Sequence, residues 1–184
     1  LVLLAPNPNL LLPTILSRCM QFFFAPLSLE LMEGFLKERT KLKAPERRLS
    51  AQLAGGCPGV ALQMDLAESE RLRREVLRLI ELAAGGKSFG QVFTQTAQLA
   101  KNERERFENI LELFYSVFHD LLELSHGPQE LALRNPDLKR ELEALSQRAS
   151  LEWVQKAVGE LDLLHGRLRR NINRQLGLDA LAVS

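Results

Sequence analysis

The stretch 104–125 constrains this chain most. Its apolar residues Phe107, Ile110, Leu111, Phe114, Val117, Phe118, Leu121 and Leu122 fall at helical spacing, in a stripe wide enough to face a core on more than one side. A helix of that kind must be enclosed by others. From residue 68 to the end, no strand pattern competes. Helices are predicted over 68–84, closed by Gly85-Gly86, then over 89–100 and 104–125, the last stopped by His126-Gly127-Pro128. Further helices are predicted over 136–148 and 151–171, with a short one near 178–183. Aromatics are few (9 Phe, 1 Trp, 1 Tyr), which favours helices over a β-sandwich. The expected unit is an all-α bundle over 67–184, a normal domain size.

The N-terminal third has a different grammar. LVLLA at 1–5 is a continuous apolar run of the kind found in a strand buried on both faces. Pro6-Asn7-Pro8-Asn9 is turn chemistry. Residues 20–24 are predicted as a second strand. Pro26-Leu27-Ser28 then opens a helix over 29–41, with Ser28 as N-cap. Pro45 suits the first turn of the next helix, which ends at Gly55-Gly56, and Pro58 opens a third over 58–66.

Between the two predicted strands lies PTILSRC, residues 13–19, a short helix ending on Ser17-Arg18-Cys19. An arginine there stands on a rigid base. Its planar, permanently charged fork suits phosphate oxygens. The plainer structural role is to cap the helix C-terminus.

This heptapeptide resembles the Ser-Arg-Cys motif of AAA+ clamp-loader subunits, in which the arginine is offered to ATP on the neighbouring subunit. The resemblance implies a fold that is mainly α: the end of an AAA+ α/β ATPase domain at 1–25, a three-helix lid at 26–66 and an all-α collar at 67–184. LAGGCPGVALQM, residues 53–64, resembles the lid segment that carries a phosphate-sensing arginine in active members; Gly59 stands in that place. The polar sensor at the end of the first strand would fall at Ala5 and Pro6, which cannot donate a side-chain hydrogen bond; Asn7 is one step further on. FYSVFHDLLEL (114–124), LRNPDL (133–138) and NINRQLGLDALAV (171–183) resemble, in order and spacing, the collar of the delta-prime class of bacterial clamp-loader subunits.

The resemblance implies a non-hydrolysing subunit of the DNA polymerase III holoenzyme. It would give Arg18, beside Ser17, to a neighbour's ATP. Its partners would be gamma/tau and delta subunits in a heteropentamer that loads the sliding clamp onto primed DNA, in the cytoplasm. A gamma/tau-like ATPase subunit is the alternative within the family. A helical interaction module without a nucleotide role is the alternative outside it.

Other chemistry finds little support. Gly85-Gly86-Lys87-Ser88 imitates the end of a P-loop, but Glu81 stands where the first glycine belongs and a helix precedes it. No apolar run ends in Asp-Glu as a Walker B segment does. His119, His126 and His165 share no ligand spacing, so no metal or cofactor is expected. Cys19 and Cys57 form no CxxC pair, indicate a reducing compartment, and read as small buried residues. Net charge is +1, so no global field points to nucleic acid or membrane. Two basic clusters stand out. Lys37, Arg39, Lys41, Lys43, Arg47 and Arg48 read as a solvated face; Arg167, Arg169, Arg170 and Arg174 read as a polar rim for a contact with another subunit. Residues 1–16 are apolar but lack a basic start and are broken by prolines, so they do not read as a signal peptide; the expectation is that the sequence opens inside a domain.

Overall fold

A computed structural model describes residues 2–5, 8, 11–85, 89–125, 133–168 and 172–183. The described residues form helices and irregular connections, with no β-strand among them. They divide into an apolar N-terminal strap, a unit of three short helices and a larger bundle.

The strap holds one four-residue helix, α1 (Pro13–Leu16). The expected strand at 20–24 is not formed, and residues 2–5 of the expected first strand are irregular as well. Phe22, Phe23 and Phe24 are 75%, 80% and 92% exposed. The physical reason is the absence of a partner. A strand buries its faces and pairs its N–H and C=O groups only against neighbouring strands, and the described chain offers none.

The three short helices are α2 (Leu29–Arg39), α3 (Ala44–Leu53) and α4 (Pro58–Gln63). Ser28 caps α2, its hydroxyl accepting from the N–H of Leu31 at 3.4 Å. Pro45 and Pro58 sit in the first turns of α3 and α4. Met32, Leu36, Ala51, Ala54 and Ala61 form a core of their own. The buried Ser50 hydroxyl donates to the Ala61 carbonyl at 3.3 Å, tying α3 to α4. Gly55 and Gly56 make the turn between them, both at positive φ. At Gly56 a Cβ would lie 2.6 Å from the Leu27 carbonyl oxygen, while the Leu27 N–H donates to the Gly56 carbonyl at 2.9 Å. This turn therefore closes directly on the chain leading into α2.

The bundle comprises α5 (Leu66–Ala84), α6 (Phe89–Ala100), α7 (Arg104–Ser125), a 3₁₀ turn (Pro136–Leu138), α8 (Lys139–Ser146), α9 (Leu151–Arg167) and α10 (Arg174–Val183). The α5 helix starts earlier than predicted because Asp65 caps it, accepting from the N–H groups of Ala67 and Glu68. It ends at Gly85; the rest of the Gly-Gly-Lys-Ser run and the His126-Gly127-Pro128 stop lie outside the described residues. The α7 helix is central, touching α5, α6, α8 and α9. Phe107, Ile110, Leu111, Phe114, Val117, Phe118 and Leu121 are all buried in one continuous core. Phe118 meets the Trp153 ring edge-on at 6.1 Å.

The last helix is longer than predicted and closes the bundle on α5, α6 and α9. Leu178, Leu181 and Ala182 are its buried face. Its register against α6 is antiparallel. Arg174 donates to the Asn102 carbonyl at 2.6 Å, and the buried Thr96 hydroxyl donates to the Asp179 carboxylate. On the α9 side, a Cβ at Gly177 would sit 2.3 Å from a methyl of the buried Leu164, so glycine sets the approach of the two helices.

The turn at Gly56 and the open site at Gly34, in mid-α2 with nothing within 4 Å of an added Cβ, are expected to respond in opposite directions. Gly56→Ala should destabilise the three-helix unit by about 1–3 kcal/mol. Gly34→Ala should stabilise it by about 0.5–1 kcal/mol. Native-state hydrogen exchange over α2 and α3 checks both.

Candidate functional site

Arg18 lies on the turn that ends α1, exposed to solvent. Its Nη1 donates to the Thr14 carbonyl at 2.8 Å, and the Ser17 hydroxyl approaches the same oxygen at 3.2 Å. Both side chains thus satisfy the unpaired C-terminal end of a one-turn helix. One N–H of the fork is committed there, out of about five that a guanidinium carries. No acidic side chain pairs with Arg18 among the described residues. It is accessible to an anion from another molecule.

Of the positions where the resemblance would put phosphate sensors, Ala5 and Gly59 carry no donor side chain. Ala5 is exposed and Gly59 is an exposed residue of α4 with open space around it; Pro6 and Asn7 lie outside the described residues. The Gly85-Gly-Lys-Ser run follows a long helix, where a phosphate-cradling loop would follow a strand. Among the described residues, no group of His, Cys, Asp and Glu could hold a metal ion. His119 is half-buried beside Asp120 and Glu123, and the His165 ring tilts against Tyr115 at 6.0 Å; His126 lies outside the described residues. Contrary to expectation, Cys19 and Cys57 are both exposed. One sits on the turn after α1 and the other at the N-cap before Pro58, so neither falls on a buried helix face.

The first basic cluster is exposed as expected except at Arg47, which is half-buried. Arg39 lies over the Phe35 ring at 5.6 Å, Arg47 donates to the Leu42 carbonyl at 2.6 Å, and Arg48 reaches Glu33 at 3.9 Å. The second cluster needs correction. Arg174 is no rim residue: besides bonding Asn102, its guanidinium covers the Phe107 ring at 5.4 Å and locks α10 down. Arg167 is exposed, while Arg169 and Arg170 lie outside the described residues.

The collar-like motifs acquire physical meaning as a buried polar network. Asp120, on α7, is fully buried. Its carboxylate accepts from the N–H of Arg134 at 2.8 Å, from the N–H of Asn135 at 2.9 Å and from the Asn135 amide at 2.9 Å. Two residues on, Asp137 takes a bidentate bond from Arg73 of α5, at 2.6 and 2.9 Å. Arg73 is only 1% exposed. The signal for it was present in the sequence: Arg73 stands three residues before Val76 and four before Leu77, on the apolar face of its helix. Tyr115 donates to Asp162 at 2.7 Å, joining α7 to α9. Burial, reinforced by that bond, raises the Tyr115 phenol well above its ordinary value of about 10.

The outer side of the bundle leaves apolar residues in solvent. Leu176, Ala180 and Val183 stand on the exposed face of α10, at spacings of four and three. With Leu163 of α9 the first two border a groove of about 270 Å³. On α6, Phe93 stacks on Phe89 at 6.4 Å with both rings exposed.

Among known families, residues 65–183 match DNA polymerase III, delta subunit, C terminal. That span takes in every helix of the bundle and most of the chain. The chain belongs to this family. No curated protein and no solved structure was found to match it. Membership makes the chain a clamp-loader-related subunit of DNA polymerase III. The all-α bundle is the family's domain in this chain. Among the described residues no helix is long and apolar enough to cross a membrane.

Two outcomes test the bundle's polar contacts. Tyr115 is the sole tyrosine, so phenolate absorbance reads it alone. Because its folded pKa is raised, its stabilising contribution is complete below pH about 10 and is lost as pH rises through the folded value. The phenolate transition should lie above 10, and Tyr115→Phe should remove this alkaline loss of stability. Asp120→Ala should cost about 1–3 kcal/mol for each buried donor left without an acceptor, read from urea unfolding.

Proposed function

We propose that this chain is a delta-prime-type clamp-loader subunit, which assembles through its helical collar and gives Arg18 to ATP held by a neighbouring subunit. The reading rests on one combination. The delta-family C-terminal domain at 65–183 follows a chain in which an exposed arginine ends PTILSRC. The matched description names delta; delta-prime is favoured by the Ser-Arg-Cys segment together with FYSVFHDLLEL and LRNPDL.

In this reading residues 1–25 complete an AAA+ core and 26–66 are its lid. The exposed run Phe22–Phe24 and the exposed Val2, Leu3 and Leu4 support it, since they are apolar surface suited to burial in such a core. Partners are gamma/tau and delta subunits in a heteropentamer, with the sliding clamp and primed DNA engaged through the complex in the cytoplasm. The exposed apolar face of α10, beside Leu163, supplies collar surface for a neighbour. Ala5 and Gly59, in the places of the phosphate sensors, favour this reading over a gamma/tau-like ATPase.

Arg18 leaves the Thr14 carbonyl for the γ-phosphate of the neighbour's ATP and stabilises the charge that develops during transfer. Such an arginine can be worth about 10³–10⁵ in rate. In a loader reconstituted with this subunit, Arg18→Ala should cut DNA-stimulated ATP turnover severely while assembly stays intact. Arg18→Lys should not restore it, because lysine lacks the fork. Unchanged turnover would refute the role; loss of assembly would assign Arg18 to the interface instead.

A further inference from the structure

The three-helix unit and the bundle are joined by Met64 and Asp65, yet they keep separate cores. Among the described residues, no side-chain hydrogen bond or ion pair crosses from one to the other. What they share is an open cleft of about 420 Å³. Leu27 and Leu29 line it from one side, Leu133 and Pro136 from the other. Among the described residues, Arg134 and Lys139 are the charged groups that line it, and no carboxylate does.

We propose that this cleft binds a short acidic peptide segment carrying an aliphatic side chain, and that the bound segment clamps the two units together. Charge complementarity identifies the occupant. The Arg134 guanidinium has no partner among the described residues, while its backbone is fixed by the N–H bond to Asp120. Lys139 has only a loose contact of 3.7 Å to Glu143, both side chains largely solvated, and such a pair is worth little. Two cations with spare bonding capacity thus flank an apolar floor. A carboxylate satisfies the cations and an aliphatic side chain covers the leucines. A nucleotide fits less well, since among the described residues no aromatic ring lines the cleft to stack a base. The volume suits a small ligand or a few side chains, and boundaries between folded units are where such sites concentrate. The inference stands whether or not Arg18 reaches a neighbour's nucleotide.

The test titrates the whole chain against a fluorescein-labelled peptide of alternating Asp and Leu, read by anisotropy. Binding should saturate, weaken with added salt, and fall by about tenfold or more, about 1.4 kcal/mol, in the double variant Arg134→Ala, Lys139→Ala. Circular dichroism confirms that this variant folds. Hydrogen exchange of the bound protein should show protection at 27–29 and 133–139 together. Absence of saturable binding, unchanged affinity in the double variant, equal binding of an Asn–Leu peptide, or protection on only one side would each overturn the proposal. Displacement by millimolar inorganic phosphate would also overturn it, making the cleft a plain anion site.

Discussion

The enclosure of α7 is the constraint on which the bundle depends. Its apolar residues form a stripe too broad for any single neighbouring helix to cover. The fold responds by surrounding α7 with α5, α6, α8 and α9. The polar contacts then select one arrangement from the many that would bury the same area. Asp120 is the clearest case. A buried carboxylate costs free energy unless it is hydrogen-bonded, and the backbone at Arg134 and Asn135 and the Asn135 amide supply the short donors here, with the His119 ring 3.5 Å away. The bidentate pair of the buried Arg73 with the partly exposed Asp137 adds a second tie to the same segment. Together they fix where the chain re-enters after α7, and so where α8 must start.

The bundle was legible in the sequence because helical periodicity is a local signal. The wide stripe at 107–122 and the Gly and Pro stops mark its helices, and Ser28, Pro45 and Pro58 mark the starts of the three short ones. The helix limits shifted where a cap decided them. Asp65 moves the start of α5 forward, and Asn173, accepting from the Leu176 N–H at 3.2 Å, starts α10 earlier than its leucines suggest. The expected strands at 1–5 and 20–24 show the opposite situation. Apolar runs state that burial is wanted but not what provides it, and strand formation is decided by partners rather than by the run itself.

The candidate site was legible to a similar degree. Arg18 is exposed at the end of a short helix, as its position suggested. Its bond to Thr14 could be foreseen only as a general property of helix ends. The cysteines were misplaced because burial of a small residue is set by which face it falls on, and both fall on turns. Arg174 was misplaced because charge at a helix start resembles a rim until the register reveals Asn102 and Phe107 beneath it.

The placement of α10 also governs when the bundle can exist during synthesis. The three short helices are complete within a few dozen residues of one another and bury their core locally. The bundle has no such freedom. Its last helix packs on α5, α6 and α9, and Thr96 waits for Asp179, some eighty residues downstream. As the chain leaves the ribosome, α5 and α6 emerge with an apolar flank that nothing yet covers. This interval of exposed surface invites aggregation or chaperone capture. It ends only when the segment through Val183 folds back.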